Sequence, residues 1–220
     1  IDPQVNTVMN FLLGKSLRGM LLSTAVLTSF LLGASQSVAQ DAPAPRVGVR
    51  GTISAIEGDV LKVRTNRGED LTVNLLKETQ VRGVTLAQVA DIKPGSYIGS
   101  AAVPLPDGTL KALEIHVFAP EMAGTGDGHR PFDLAKDSTM TNGAVGDLVT
   151  SNGRSITVNY KGGQKTIVIP EDVPIVNLVP GDRSLLKPGV KVVMFAQKAA
   201  DGSLSAQAIS AGKDGVTPPM

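Results

Sequence analysis

Apolar and polar side chains alternate along short stretches of this chain. Val49, Gly51, Ile53 and Ala55 share one register of a two-residue period, and the same period recurs over residues 60–64 and 71–75. Such alternation predicts half-buried strands. Glu57-Gly58-Asp59 and Asn66-Arg67-Gly68 lie between them, and these residue types tolerate the positive φ of tight hairpins. The period changes at residues 86–92, where Leu86, Val89 and Ile92 recur every third position and predict a short helix. Pro94 ends it, because proline disfavours helix in the residue before it. Two more strands, over residues 97–103 and 109–118, flank a turn at Pro106-Asp107-Gly108.

The order then repeats, with strands predicted over residues 143–149, 155–160, 165–169, 190–197 and 203–211 and a turn-rich segment over 179–186. Residues 93–115 and 187–209 match without a gap at an offset of 94, and nine of the 23 positions are identical. Lys93-Pro94-Gly95 matches Lys187-Pro188-Gly189, and Asp107-Gly108 matches Asp201-Gly202. One small fold used twice accounts for this. Five strands per copy, with a helical or turn segment before the fourth, is the pattern of a small closed barrel of the OB type. The expected fold class is therefore all-β: two small OB-like β-barrels in tandem, over residues 47–118 and 143–211. A small open sandwich, or one continuous sheet shared between the copies, are the alternatives.

The N-terminal composition differs from the rest. Met9 opens a run with Lys15 and Arg18, an apolar stretch follows over residues 20–33, and Ser37-Val38-Ala39 precedes Gln40. This is the order of a secretory signal peptide, with cleavage expected after Ala39. The apolar run is too short for a spanning helix, so no transmembrane helix is expected after cleavage. Residues 1–8 read as upstream sequence, 40–46 as a flexible lead-in and 212–220 as a tail. Loss of residues 1–39 removes Lys15, Arg18 and Asp2, leaving 19 basic against 19 acidic side chains. Nucleic acid is then an unexpected partner, since phosphate neutralisation needs a basic surplus or stripe. The chain has no cysteine, which excludes disulfides, thiol catalysis and zinc-thiolate sites.

Gly51-Thr52-Ile53-Ser54-Ala55-Ile56, Leu61-Lys62-Val63-Arg64, Leu86 with Ile92-Lys93-Pro94-Gly95, and Asp107-Gly108-Thr109-Leu110-Lys111-Ala112 together resemble an exported bacterial domain family of unknown function, number 5666. The second copy resembles it less. The resemblance implies a small β-barrel, often in tandem, in periplasmic or secreted envelope proteins without an assigned catalytic role.

The repeat leaves residues 119–142 unexplained. A connection of that length between small domains is commonly functional or disordered. It carries Gly124, Gly126 and Gly128, then Asp127, His129, Arg130, Phe132 and Asp133 as candidate binding residues. A flexible glycine-rich linker and a shaped loop both fit. The glycines lack the spacing and following lysine of a phosphate loop. His116, Met122, His129 and Met140 fall at or near the connector, and imidazole with thioether would suit monovalent copper. His116, alternating within its strand, is expected to face solvent. A Ser-His-Asp set would have to use one of the two histidines, and no nucleophile elbow accompanies either. The leading expectation is an exported, non-enzymatic binding or structural protein whose partner is an envelope protein or a small ligand, with no cofactor. A periplasmic copper-binding protein is the alternative, and an envelope hydrolase centred on His129 ranks third.

Overall fold

Each alternating stretch buries one row of side chains, and among the described residues the chain is all-β. The computed structural model describes residues 45–148 and 154–220. Its strands are β1 (Arg46–Glu57), β2 (Val60–Thr65), β3 (Asp70–Leu86), β4 (Tyr97–Pro104), β5 (Leu110–Phe118), β6 (Gly128–Pro131), β7 (Thr139–Leu148), β8 (Ser155–Tyr160), β9 (Gly163–Val168), β10 (Ile175–Pro180), β11 (Lys191–Lys198) and β12 (Leu204–Gly212). The helix predicted over residues 86–92 reduces to one 3-10 turn, Val89–Asp91. Leu86 instead ends β3 and is 76% exposed. None of the described helices is long and apolar enough to cross a membrane. The predicted signal peptide lies outside the described residues.

A five-stranded barrel closes from β12, β11, β1, β2 and β3. Neighbours along this order are antiparallel, and β12 returns to β3 in parallel, from Leu204 opposite Val73 to Gly212 opposite Val84. Its interior holds Val49, Ile53, Leu61, Val63, Val73, Met194 and Ile209. Five of the remaining strands form a second antiparallel series, β5-β4-β7-β8-β9, and β6 adds to it at β7. Within it β9 meets β5 in parallel at two positions, Leu110 opposite Ile167 and Lys111 opposite Val168. Ile98, Ile115, Ile156, Val158 and Ile167 fill that group. Between the two groups, β10 pairs antiparallel with β3 and parallel with β5.

This pairing corrects the expected boundaries. Residues 47–118 do not close on themselves, because β1, β2 and β3 take β11 and β12 as partners, while β4 and β5 pair with β7, β8 and β9. The alternative of one continuous sheet lies nearer, since all twelve strands join a single sheet. Moving β4 and β5 by 94 residues reproduces both bounds of β11 and β12, and the ladder irregularity at Ala101/Ala102 recurs at the same offset beside Ala196. Moved likewise, β3 spans residues 164–180, which takes in β10 and all of β9 except Gly163, with Pro170 and Pro174 in the gap between those two. Arg82 opposite Pro180 and Val176 opposite Leu86 exchange places under the offset, and Val84 opposite Leu178 maps onto itself. A local two-fold relation therefore centres on Val84 and Leu178.

Around that centre Val84, Phe118, Val176, Leu178, Val193 and Met220 form a third cluster. Each such large apolar side chain, fully buried, contributes about 1.5–3 kcal/mol. The tail takes part: Lys213 N donates to Val84 O, and Arg50 Nε donates to the Met220 carbonyl at 2.7 Å.

Candidate functional site

The site begins with a bulge. Between Ala101 and Ala102 the β4–β5 register slips, so Ala112 and Ile115 enter the second core while Glu114, His116 and Phe118 share the opposite face. A bulge re-aims side chains in this way. His116 lies opposite Gly99, Gly99 opposite Asn142, and Asn142 opposite Gly128. In the next row Ile115, Ser100, Thr141 and His129 are opposed, so the two histidines project from opposite faces of the sheet.

Glu114 is fully buried and His116 is 3% exposed. One carboxylate oxygen of Glu114 accepts from Ala101 N at 2.8 Å, and the other lies 3.0 Å from His116 Nδ1. That partner assigns the proton to Nδ1. The ring packs edge-on to Phe118, with centroids 4.9 Å apart. Its Nε2 end lies over Gly99: a Cβ there would come within 2.0 Å of Nε2 and 2.6 Å of Asn142 Oδ1. Glycine is required because the imidazole occupies the space of its missing side chain. Asn142 Nδ2 donates to Thr125 O at 3.1 Å, whereas the buried Oδ1 has no hydrogen-bond partner. Such an unmade bond costs about 1–3 kcal/mol.

His116 and Asn142 line a cavity of about 210 Å³, together with Arg82, Phe118, Arg130, Phe132, Met140, Leu178, Phe195, Ser210 and Met220. Arg130 Nη1 donates to Gly126 O at 2.7 Å, and Arg82 donates to Gln80 at 3.2 Å. Neither forms an ion pair among the described residues. Burial lowers the pKa of both guanidinium groups. Larger grooves of about 430 and 510 Å³ lie elsewhere, but neither holds the unpartnered buried oxygen.

The connector is a shaped segment. Residues 128–131 pair with β7, and Pro120–Met122 forms a 3-10 turn. Asp127 accepts from Lys161 N at 2.6 Å and from the Tyr97 hydroxyl at 3.1 Å. Burial, then this bond, pushes the Tyr97 phenol upward. Asp133 receives Arg50 at 2.7 and 3.1 Å. Phe132 meets Phe195 edge-on at 5.7 Å, and the Arg50 guanidinium lies 5.8 and 5.9 Å from the two ring centroids. His129 Nδ1 lies 2.8 Å from Thr141 Oγ1, and its ring stacks on Tyr160. Burial, then the Lys165 charge, holds its imidazole below the ordinary value.

Of the five connector candidates, Arg130 and Phe132 reach the cavity, while Asp127 and Asp133 fasten the loop and His129 lies on the other face. The four proposed soft ligands are likewise divided. His116 and Met140 line the cavity, Met122 packs on the third cluster, and His129 is remote from both by strand parity. No group of three or more histidine and acidic residues is placed for a metal among the described residues. Sequence reasoning missed Glu114, Gly99 and Asn142, and it placed His116 in solvent. The available signal was Glu114-Ile115-His116-Val117-Phe118, where an acid, an imidazole and a ring alternate on one strand face. Compared with protein-family models, curated proteins and solved structures, the chain matches none.

Proposed function

We propose that this chain is an exported, non-enzymatic small-molecule-binding protein of the bacterial envelope, whose ligand occupies the cavity floored by His116 and Asn142. In this reading it is a duplicated unit whose two OB-like barrels exchange their last two strands. Its likeness to the exported family number 5666 and the leader over residues 9–39 support the location. The observation that carries the binding role is Asn142, whose buried Oδ1 has no hydrogen-bond partner and which lines the cavity together with Arg82 and Arg130. Buried polar atoms are almost always satisfied, so an orphan at a cavity wall marks where an occupant's donor belongs.

Met140, Met194 and Met220 line the same cavity and give it methyl reporters. Titrating a set of small polar fragments against methyl-labelled protein should shift these three signals ahead of Met122. Unmoved signals across the set would overturn the binding reading. His116 and Met140 both line the cavity, which favours copper as a second reading. Under it, Cu(I) should broaden or shift the Met140 methyl, and His116→Ala should abolish that response.

A further inference from the structure

The chemistry of an occupant follows from what the cavity wall lacks. Asn142 Nδ2 is committed to Thr125 O, which fixes the amide orientation, since a flipped amide would set two acceptors against each other. Its Oδ1 can only accept. His116 Nδ1 is committed to Glu114, so in the neutral ring Nε2 also accepts. Nε2 and Oδ1 both lie within 2.6 Å of the point where a Cβ on Gly99 would sit. The floor thus presents two adjacent acceptors with the buried Glu114 carboxylate behind them. Their complement is one group with at least two donors and a positive charge, an ammonium. A hydroxyl has a single proton and satisfies one acceptor only.

On the other side of Asn142 stands Arg130. Its Nη2 and the Asn142 amide nitrogen lie 3.3 and 3.0 Å from the position of a Cβ on Gly126. Nη1 is taken by Gly126 O, which leaves Nη2 for an anion, and a planar guanidinium suits a carboxylate. Phe118, Phe132, Phe195 and Leu178 supply an apolar wall. A 150 Å³ cavity holds benzene, so about 210 Å³ scales to about eight heavy atoms.

We infer that the cavity takes a free α-amino acid with a small aliphatic side chain, its ammonium on Asn142 Oδ1 and His116 Nε2 and its carboxylate on Arg130. The inference rests on the binding reading above. L-Valine has eight heavy atoms and is the first probe, followed by 2-hydroxy-3-methylbutanoate, 3-methylbutanoate and isobutylamine, each lacking one feature. Binding is read from the methyl signals of Met140 and Met220 and by calorimetry on the full chain. Valine should bind at least tenfold more tightly than any of the three. Arg130→Gln, at an exposed position, should weaken valine at least tenfold and leave isobutylamine unchanged. Equal or tighter binding of the hydroxy acid, or a methyl response to the analogues but not to valine, overturns the amino-acid assignment and leaves the cavity a binding site. Silence from all four compounds overturns the assignment, and silence across the wider fragment set overturns the binding reading beneath it.

Discussion

Gly99→Ala tests the floor of the cavity with one methyl group. The new carbon would lie 2.0 Å from His116 Nε2 and 2.5 Å from its Cε1, where ordinary contact begins at 3.4 Å. Gly99 sits in β4 between β5 and β7, so the strand cannot retreat without breaking two ladders. The imidazole must move by about 1.4 Å in a close-packed interior. That stretches the 3.0 Å contact to Glu114 beyond hydrogen-bond range and leaves a fully buried carboxylate with Ala101 N alone. Overpacking costs about 1–3 kcal/mol, and losing a hydrogen bond to a buried carboxylate about 1.5–3 kcal/mol. The two overlap, and we expect about 3 kcal/mol, a large share of the ~5–15 kcal/mol of a typical domain. With His116→Ala already in place the ring is gone, and the same methyl should cost about 1 kcal/mol or less, from its contact with Asn142. Urea unfolding of the four proteins of this cycle, followed by circular dichroism, should give a coupling of about 2 kcal/mol. Additivity within ~0.5 kcal/mol would refute the claim that Gly99 exists to admit the histidine.

Two other outcomes follow from the same geometry. The Arg50 hydrogen bond, ahead of its charge, holds the Asp133 carboxyl below its ordinary range; a depressed folded value stabilises above the unfolded pKa of about 4 and is lost as pH falls through the folded one. Acid unfolding below about pH 4 should therefore be shallower in Asp133→Asn, and an unchanged pH profile would remove the clamp from the account. At an offset of 94, Gly99, Glu114 and His116 correspond to Val193, Ala208 and Ser210. Installing that second solution as Gly99→Val, Glu114→Ala and His116→Ser should leave stability within about 1 kcal/mol while abolishing ligand response, whereas Gly99→Val alone should unfold far more readily in urea.

Strands and turns were legible because they are local. β4, β5, β11 and β12 follow their alternation, and Gly95, Gly108, Gly189 and Gly202 all adopt φ between 84° and 87°, as their turns demand. The choice of partner was not legible. When two segments carry near-equivalent edges, as β4-β5 and β11-β12 do, either can close either strand group with similar contacts, which would permit the exchange proposed above. What decides it here is the course of β3, which runs on from Asp70 to Leu86 and delivers the chain to the other group. The alternation read over residues 71–75 is not carried through residues 80–86, where Gly83 interrupts it. His116 was misplaced for a related reason: its face is the outside of one strand group, and that outside is covered by β10, β11 and the tail.

The departures from two-fold equivalence fall at the centre of the molecule. Val84 and Leu178, which map onto each other, pack among residues that contribute to both strand groups. His116 and its counterpart Ser210 both line the cavity, as does Ala208 in the position matching Glu114. On one side Val193 is large where Ser210 is small; on the other Gly99 is absent as a side chain where His116 is bulky. Total volume is thus roughly conserved across the pair while polarity is not, which is how a packed core tolerates divergence. An unsatisfied buried oxygen and a buried Glu–His pair bring no stability that the apolar solution lacks. Their placement on one side only, against a cavity, is what the proposed binding floor calls for, its cost offset by the otherwise apolar packing at the positions 94 residues away.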